Sequence, residues 1–194
     1  VRIPVVAAGG FFDGRGLVAA LAYGAAGVAM GTRFLLTSDS TVPDPVKARY
    51  LAATVRDVTV TRAVDGLPHR MLRTDVVTAL ERSGRIRTLG HALRRAAGFR
   101  RLSGLTWRQL ARDGLALRHG KELSWSRLLL AANTPMLLKS AMVDGRTDLG
   151  VMAAGQVTGV IEDLPSCAEL VERMVKEAEE VMTALAGLAE GTRD

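Results

Sequence analysis

One cysteine in 194 residues rules out an intramolecular disulfide and makes a reducing cytosol the expected compartment. Cys167 stands beside a helix start, where a thiol pKa can fall, but it reads first as a small packed residue. Histidine is also scarce. His69, His91 and His119 have no Cys or carboxylate partners at ligand spacing, so no metal site is expected. No apolar run approaches the ~20 residues that span a bilayer, and the start shows no signal-peptide pattern. The expected protein is therefore cytoplasmic, without a membrane partner. No Ser-His-Asp order with a nucleophile elbow is present, which leaves hydrolase chemistry without support. A dinucleotide fingerprint is missing too. Gly9-Gly10 followed by Gly14 and Gly16 does not give G-x-G-x-x-G, and Ala29-Met30-Gly31 offers no acid for a ribose.

What is present is concentrated in Pro4–Phe34, PVVAAGGFFDGRGLVAALAYGAAGVAMGTRF. Ile3 to Ala8 is a short, β-branched apolar run, as expected of a strand buried on both faces. Gly9-Gly10 ends it with a turn that tolerates positive φ. Asp13 is a candidate N-cap for a helix to about Tyr23, with Leu17, Ala20 and Leu21 inward and Gly24 as the stop. Gly27 to Met30 reads as a second buried strand, closed by Gly31-Thr32. Two parallel strands joined by one helix put both glycine turns at the same sheet edge. Backbone N–H groups there, with a helix N-terminus nearby, can hold a phosphate dianion. A (β/α)8 barrel carries phosphate in the loops after its seventh and eighth strands, which suits two consecutive glycine turns.

The pattern AAGG-x3-GRG-x2-AAL-x2-GA-x-GV-x-MGTRF resembles the last two strands of the nitronate monooxygenases, also called 2-nitropropane dioxygenases. It is similar as well to FMN-dependent enoyl-acyl-carrier-protein reductases. The likeness weakens over Val60–Arg73 and returns at Ala153–Glu177, where AAGQVTGVIEDLPSCAELVERMVKEAE is similar to the family's closing segment and final helix. The resemblance implies FMN, with its phosphate held at Gly9, Gly10, Gly31 and Thr32 and with Gln156 near the flavin or substrate. It also implies a catalytic histidine upstream of the AAGG motif. None of His69, His91 and His119 matches that position, so the catalytic residue stays unassigned.

A chain of this length can form a substantial core but cannot close an eight-stranded barrel, which takes about 250 residues. The expected fold is α/β: the C-terminal portion of a TIM (β/α)8 barrel, with an inserted, mainly helical subdomain. The opening on Val1 inside a strand agrees with that reading, and the missing barrel half is the expected partner, in this or another chain. Expected domains are 1–44 with the phosphate site, 45–149 as hairpin and basic helical subdomain, and 150–194 as return segment and docking helix. Thr37–Pro45 reads as a loop and Pro45–Thr54 as a short helix. Val58–Thr61 and His69–Leu72 pair around Asp65-Gly66 as a hairpin, and Gly150–Ala153 is a further strand candidate. Val76 to Met142 is helical in pattern. In the final helix, Ser166 and Glu169 form a capping box. Its apolar stripe, Leu170, Val171, Met174, Val175, Ala178, Val181, Met182 and Leu185, is expected to dock on the strand-bearing part.

Charge is uneven. Glu81 to Lys139 carries 13 Lys or Arg against 3 Asp or Glu, although the whole chain is only +6. The bland reading is a solvated helical surface. The functional one has Arg94, Arg95, Arg100 and Arg101 attracting an anionic substrate, such as a coenzyme A thioester or an acidic carrier. Phe99, Trp107 and Trp125 lie in the same segment, but no nucleic-acid motif accompanies them, and a nucleic-acid partner is not expected. Three functions follow. The first is FMN-dependent oxidation of a small anionic carbon acid with O2, and the second is flavin-dependent reduction or dehydrogenation of an acyl thioester in fatty-acid or ring-compound metabolism. The third is a non-catalytic FMN-binding subunit.

Overall fold

The computed structural model describes residues 2–82 and 134–191, the last three as backbone only. The chain divides into two units, Val1–Asp57 with Ala154–Asp194, and Val58–Ala153. Both are α/β in content.

In the first unit, strand β1 (Val6–Ala8) is followed by helix α1 (Gly14–Ala22) and strand β2 (Gly27–Ala29). β1 and β2 pair in parallel, Val6 with Gly27 and Ala8 with Ala29. A four-residue helix α2 (Thr32–Leu35), a loop and helix α3 (Asp44–Leu51) come next. Helix α3 opens on Asp44-Pro45, where proline's fixed φ is tolerated because a first-turn N–H has no helical partner. It buries Val46 and Tyr50, and burial pushes the Tyr50 phenol well above its ordinary pKa.

The strands are not buried as their sequence suggests. Ile3 is 70% and Val6 57% exposed. The reason is topological. Each strand has only the other as its neighbour among the described residues, so the apolar run has nothing further to pack against. Within α1 the inward face is Gly14, Val18 and Ala20, while Leu21 faces out. The face is set by Gly14, whose Cα lies against the backbone of the final helix. A methyl placed there would meet Met174 O and Glu177 Cβ at 2.5 Å.

That final helix, here α6 (Cys167–Gly191), is the longest element, and the expected capping box is present. Ser166 N–H donates to Glu169 Oε2 at 2.7 Å, and Glu169 N–H donates to Ser166 Oγ at 3.2 Å. Its docking differs from expectation. Leu170, Met174 and Ala178 are buried on the side facing α1, but Val171, Val175, Met182 and Leu185 stay about half exposed. Positions 170, 174 and 178 form one ridge; 171, 175 and 182 lie about 60–100° round the axis from it, and 185 continues the ridge beyond Ala178. The apolar stripe is wider than the nine-residue α1 covers.

The second unit holds a hairpin of strands β3 (Val58–Thr61) and β4 (His69–Leu72), antiparallel with Val58 opposite Leu72. Its loop contains the expected Asp65-Gly66, with Gly66 at φ 88°. Helix α4 (Asp75–Arg82) and helix α5 (Thr134–Met142) bring Val77 and Leu137 onto Val64, Met71 and Val151 as a small core. The strand expected at Gly150–Ala153 reduces to one antiparallel bridge, Met71 with Ala153, and a bond from Leu72 N–H to Met152 O at 2.9 Å. Most of the expected helical, basic subdomain lies in residues 83–133, outside the described residues. No helix among the described residues is long and apolar enough to cross a membrane.

Candidate functional site

The register Ala8 opposite Ala29 carries the two glycine turns out of the sheet at the same end. Gly9 and Gly10 both adopt positive φ, 87° and 89°, a conformation that L side chains rarely take. A Cβ at Gly9 or at Gly31 would meet nothing within 4 Å. Gly31 itself sits at φ −85°, so its missing side chain leaves room and relieves no strain.

The closing segment reaches the same place. A Cβ on Gly10 would lie 3.2 Å from Gln156 Oε1, and one on Gly155 would lie 2.5 Å from Thr32 Oγ1. Gly10, Thr32 and Gln156, separated by up to 146 positions, therefore meet at one edge of this unit. Gly155 was not singled out in the sequence, although it stands in the Ala154-Gly155-Gln156 run that carries the resemblance.

A helix N-terminus was expected to help hold an anion. The structure closes that route at α1. Asp13 Oδ1 accepts from Gly16 N–H at 2.9 Å, and Glu177 Oε2 accepts from Gly14 N–H at 2.8 Å. Two carboxylates thus already occupy amide donors of the first turn and complement its partial charge. An incoming phosphate would meet negative charge there. At the glycine turns a Cβ on Gly9 or Gly31 would meet no neighbour, so room is left beside uncharged main chain, as a bound phosphate such as that of FMN would require.

Arg33, the last cation of the MGTRF run, is not free to act on a ligand. It is 2% exposed, with Nη1 donating to Asp163 Oδ1 at 2.8 Å and Nη2 to Leu36 O at 2.7 Å. Asp163 Oδ2 also accepts from Arg173 Nη1 at 2.6 Å. Burial opposes the charge on Asp163, but hydrogen bonds from Arg173 and Arg33 outweigh it and hold the carboxyl below its usual range. This bridge fastens α2 and α6 onto residue 163. A cleft of about 580 Å3 lies beside it, lined by Arg33, Asp163, Arg173, Asp13, Glu177 and others of mixed charge. It does not include the glycine turns.

In the other unit, His69 lies in β4 with Nε2 2.7 Å from Asp65 Oδ2, a carboxylate that also accepts from Thr134 Oγ1 and from Leu67 N–H. The i, i+4 spacing of Asp65 and His69 carried this pair in the sequence, where it went unread because it crosses a hairpin loop and not a helix. His91, His119, Arg94, Arg95, Arg100 and Arg101 all lie outside the described residues. No group of three or more metal-ligating side chains occurs among the described residues.

With that geometry in hand, residues 1–177 match the family described as nitronate monooxygenase. The chain belongs to the nitronate monooxygenase family. It is 65% identical over 176 residues to the (3aS,4S,5R,7aS)-5-hydroxy-7a-methyl-1-oxo-octahydro-1H-indene-4-carboxyl-CoA dehydrogenase of Mycobacterium tuberculosis, covering 91% of this chain and 50% of that protein. It is 42% identical over 77 residues to a probable nitronate monooxygenase of Staphylococcus saprophyticus, covering 40% of this chain and 22% of that protein. Among solved structures it is similar to FabK of Thermotoga maritima, with a TM-score of 0.65, 29% identity, and coverage of 97% of this chain and 48% of that one. The chain thus spans about half the length of the Mycobacterium tuberculosis dehydrogenase and of FabK. The family is one of oxidoreductases.

Proposed function

We propose that this chain is the cofactor-phosphate-binding part of an FMN-dependent dehydrogenase acting on a carboxyl-CoA thioester built on a fused ring. The observation that supports the phosphate site is that the strand register brings the Gly9-Gly10 and Gly31-Thr32 turns to one end of the sheet, with open space at Gly9 and Gly31; the family supports FMN as its owner. In this reading Gly9 and Gly10 present main-chain dipoles to the phosphate, Gly31 leaves room for it, and the Thr32 hydroxyl donates to it. Gln156, with its side-chain oxygen over Gly10, borders the cofactor on the other side. FMN, when bound, supplies the acceptor for the two electrons that leave the substrate.

The thioester is preferred over a small nitronate for two reasons. Likeness to the carboxyl-CoA dehydrogenase runs over 91% of this chain, whereas likeness to the Staphylococcus nitronate monooxygenase covers 40%. The excess of cations between Glu81 and Lys139 also suits the phosphates of coenzyme A, which a nitroalkane lacks. Oxidation of a nitronate with O2 stays as the second reading, supported by the family that residues 1–177 match. In both, β1 and β2 are the last two strands of a barrel. Exposed Ile3, Val5 and Val6 are the surface on which its remaining strands would pack.

Anaerobic mixing of the FMN-loaded protein with each substrate separates these readings. A fused-ring carboxyl-CoA thioester should bleach the flavin absorbance within the time of turnover, and a nitronate should do so at least tenfold more slowly. Bleaching by the nitronate alone would transfer the assignment to the second reading. Bleaching by neither would overturn both.

A further inference from the structure

Resting on the reading of Thr32 as a phosphate ligand, we infer that Gly155 is a positioning residue that fixes the rotamer of the Thr32 hydroxyl. The approach leaves no room for a side chain. A Cβ on residue 155 would stand 2.5 Å from Thr32 Oγ1, 3.3 Å from Thr32 Cβ and 3.7 Å from Val157 Cγ2. Gly155 has no positive φ, so glycine is not there for the backbone's sake. Its role is to leave the space that Oγ1 occupies.

Threonine has three staggered χ1 wells and two heavy atoms on Cβ. A methyl on residue 155 is cleared only by the well that turns the hydrogen of Cβ toward it. That well moves both Oγ1 and Cγ2 from their present positions. The alternative response, retreat of residues 155 and 156, withdraws Gln156 from Gly10, where its Oε1 now lies against the open turn. Either response disturbs the cradle through the same contact. Gly155 thereby couples the closing segment to the second glycine turn, just as Gln156 couples it to the first.

Equilibrium titration of the apoprotein with FMN, followed by flavin fluorescence, tests this with a four-member cycle. Thr32→Ala should weaken binding about tenfold or more, the scale of one hydrogen bond to a charged group. Gly155→Ala should weaken it by a similar factor. The double variant Gly155→Ala/Thr32→Ala should be no more than about twofold weaker than Thr32→Ala alone, since the atom that collides is gone. In a Thr32→Ser background, where two wells avoid the methyl and the donor survives, Gly155→Ala should cost no more than about threefold. A double variant whose loss is the product of the two single losses would overturn the inference, as would wild-type affinity in Gly155→Ala. Wild-type affinity in Thr32→Ala would instead remove the underlying phosphate assignment. Thermal unfolding of each variant, within a few degrees of wild type, keeps loss of fold apart from loss of binding.

Discussion

The N-terminus of α1 and the glycine turns beside it are both places where a phosphate could sit, yet they are built in opposite ways. At α1, Gly14 brings two backbones together, and the amide donors are taken by Asp13 and Glu177. At the turns, Gly9 and Gly31 face open space among the described residues. Gly14 serves packing, whereas Gly9 and Gly31 leave open the volume a side chain would take, as Gly24 and Gly27 also do. Open surroundings are therefore what the proposed phosphate site requires, and its place at the paired strand ends is what sets Gly9 and Gly31 apart.

Substitution breaks this comparison most sharply. Gly14→Val would force atoms into Met174 O and Glu177 Cβ. It should cost more than about 3 kcal/mol, because backbone cannot give way as a flexible side chain can. In a chain of this size that lowers the melting temperature by roughly 6–12 °C. Gly31→Val should leave the melting temperature within a few degrees, since its φ of −85° suits any residue and its surroundings are open. It should weaken FMN binding by more than about tenfold by filling the cradle. A Gly31→Val protein that unfolds early and binds FMN normally would invert the account.

Charge sharpens the comparison further. The proposed cradle relies on uncharged main chain and the Thr32 hydroxyl, whereas Arg94, Arg95, Arg100 and Arg101 would act by attraction over distance. Reversing Arg94 and Arg95 to Glu should raise KM for a coenzyme A thioester severalfold at low salt. Most of the increase should vanish as salt rises, because exposed charges are screened over ~10 Å at 0.1 M. FMN affinity should not change. Equal, salt-independent effects on thioester and nitronate would assign the segment to a solvated surface.

The smallest effect concerns pH. Hydrogen bonds from the Ser166 backbone and hydroxyl hold the Glu169 carboxyl below its usual range, and Arg173 and Arg33 do so for Asp163 against the opposing effect of burial. Both carboxylates bind protons more weakly in the folded protein. Their contribution is therefore fully present above the ordinary carboxylate pKa, about 4, and fades as pH falls through the lower folded values. The melting temperature should begin to drop below about pH 4, with α6 loosening first. FMN affinity relative to stability should not track it, since neither Glu169 nor Asp163 is among the residues assigned to the phosphate. Glu169→Gln should flatten part of that acid limb.

The order β1, α1, β2, the Asp13 cap, the Ser166–Glu169 box and the hairpin around Asp65-Gly66 were legible because each depends on neighbours in sequence. The two turns could be placed together because a parallel crossover leaves no other arrangement. Gly155 against Thr32 and Gly14 against α6 were not legible, since close approach between distant backbones leaves no periodic signal. Burial of Ile3–Ala8 was overestimated. A β-branched run states what a strand can pack against but not whether a neighbour is present. The apolar stripe of α6 likewise records more surface than α1 covers.

Comparison of FMN with riboflavin, which has the same ring and ribityl chain but no phosphate, tests the central claim most directly. If the glycine turns hold the phosphate, the wild-type protein binds FMN at least about a hundredfold more tightly than riboflavin, as expected when a dianion meets several preorganised donors. Gly31→Val should collapse that ratio toward one by lowering FMN affinity while leaving riboflavin affinity nearly unchanged. Equal affinity of the wild-type protein for FMN and riboflavin would contradict the account.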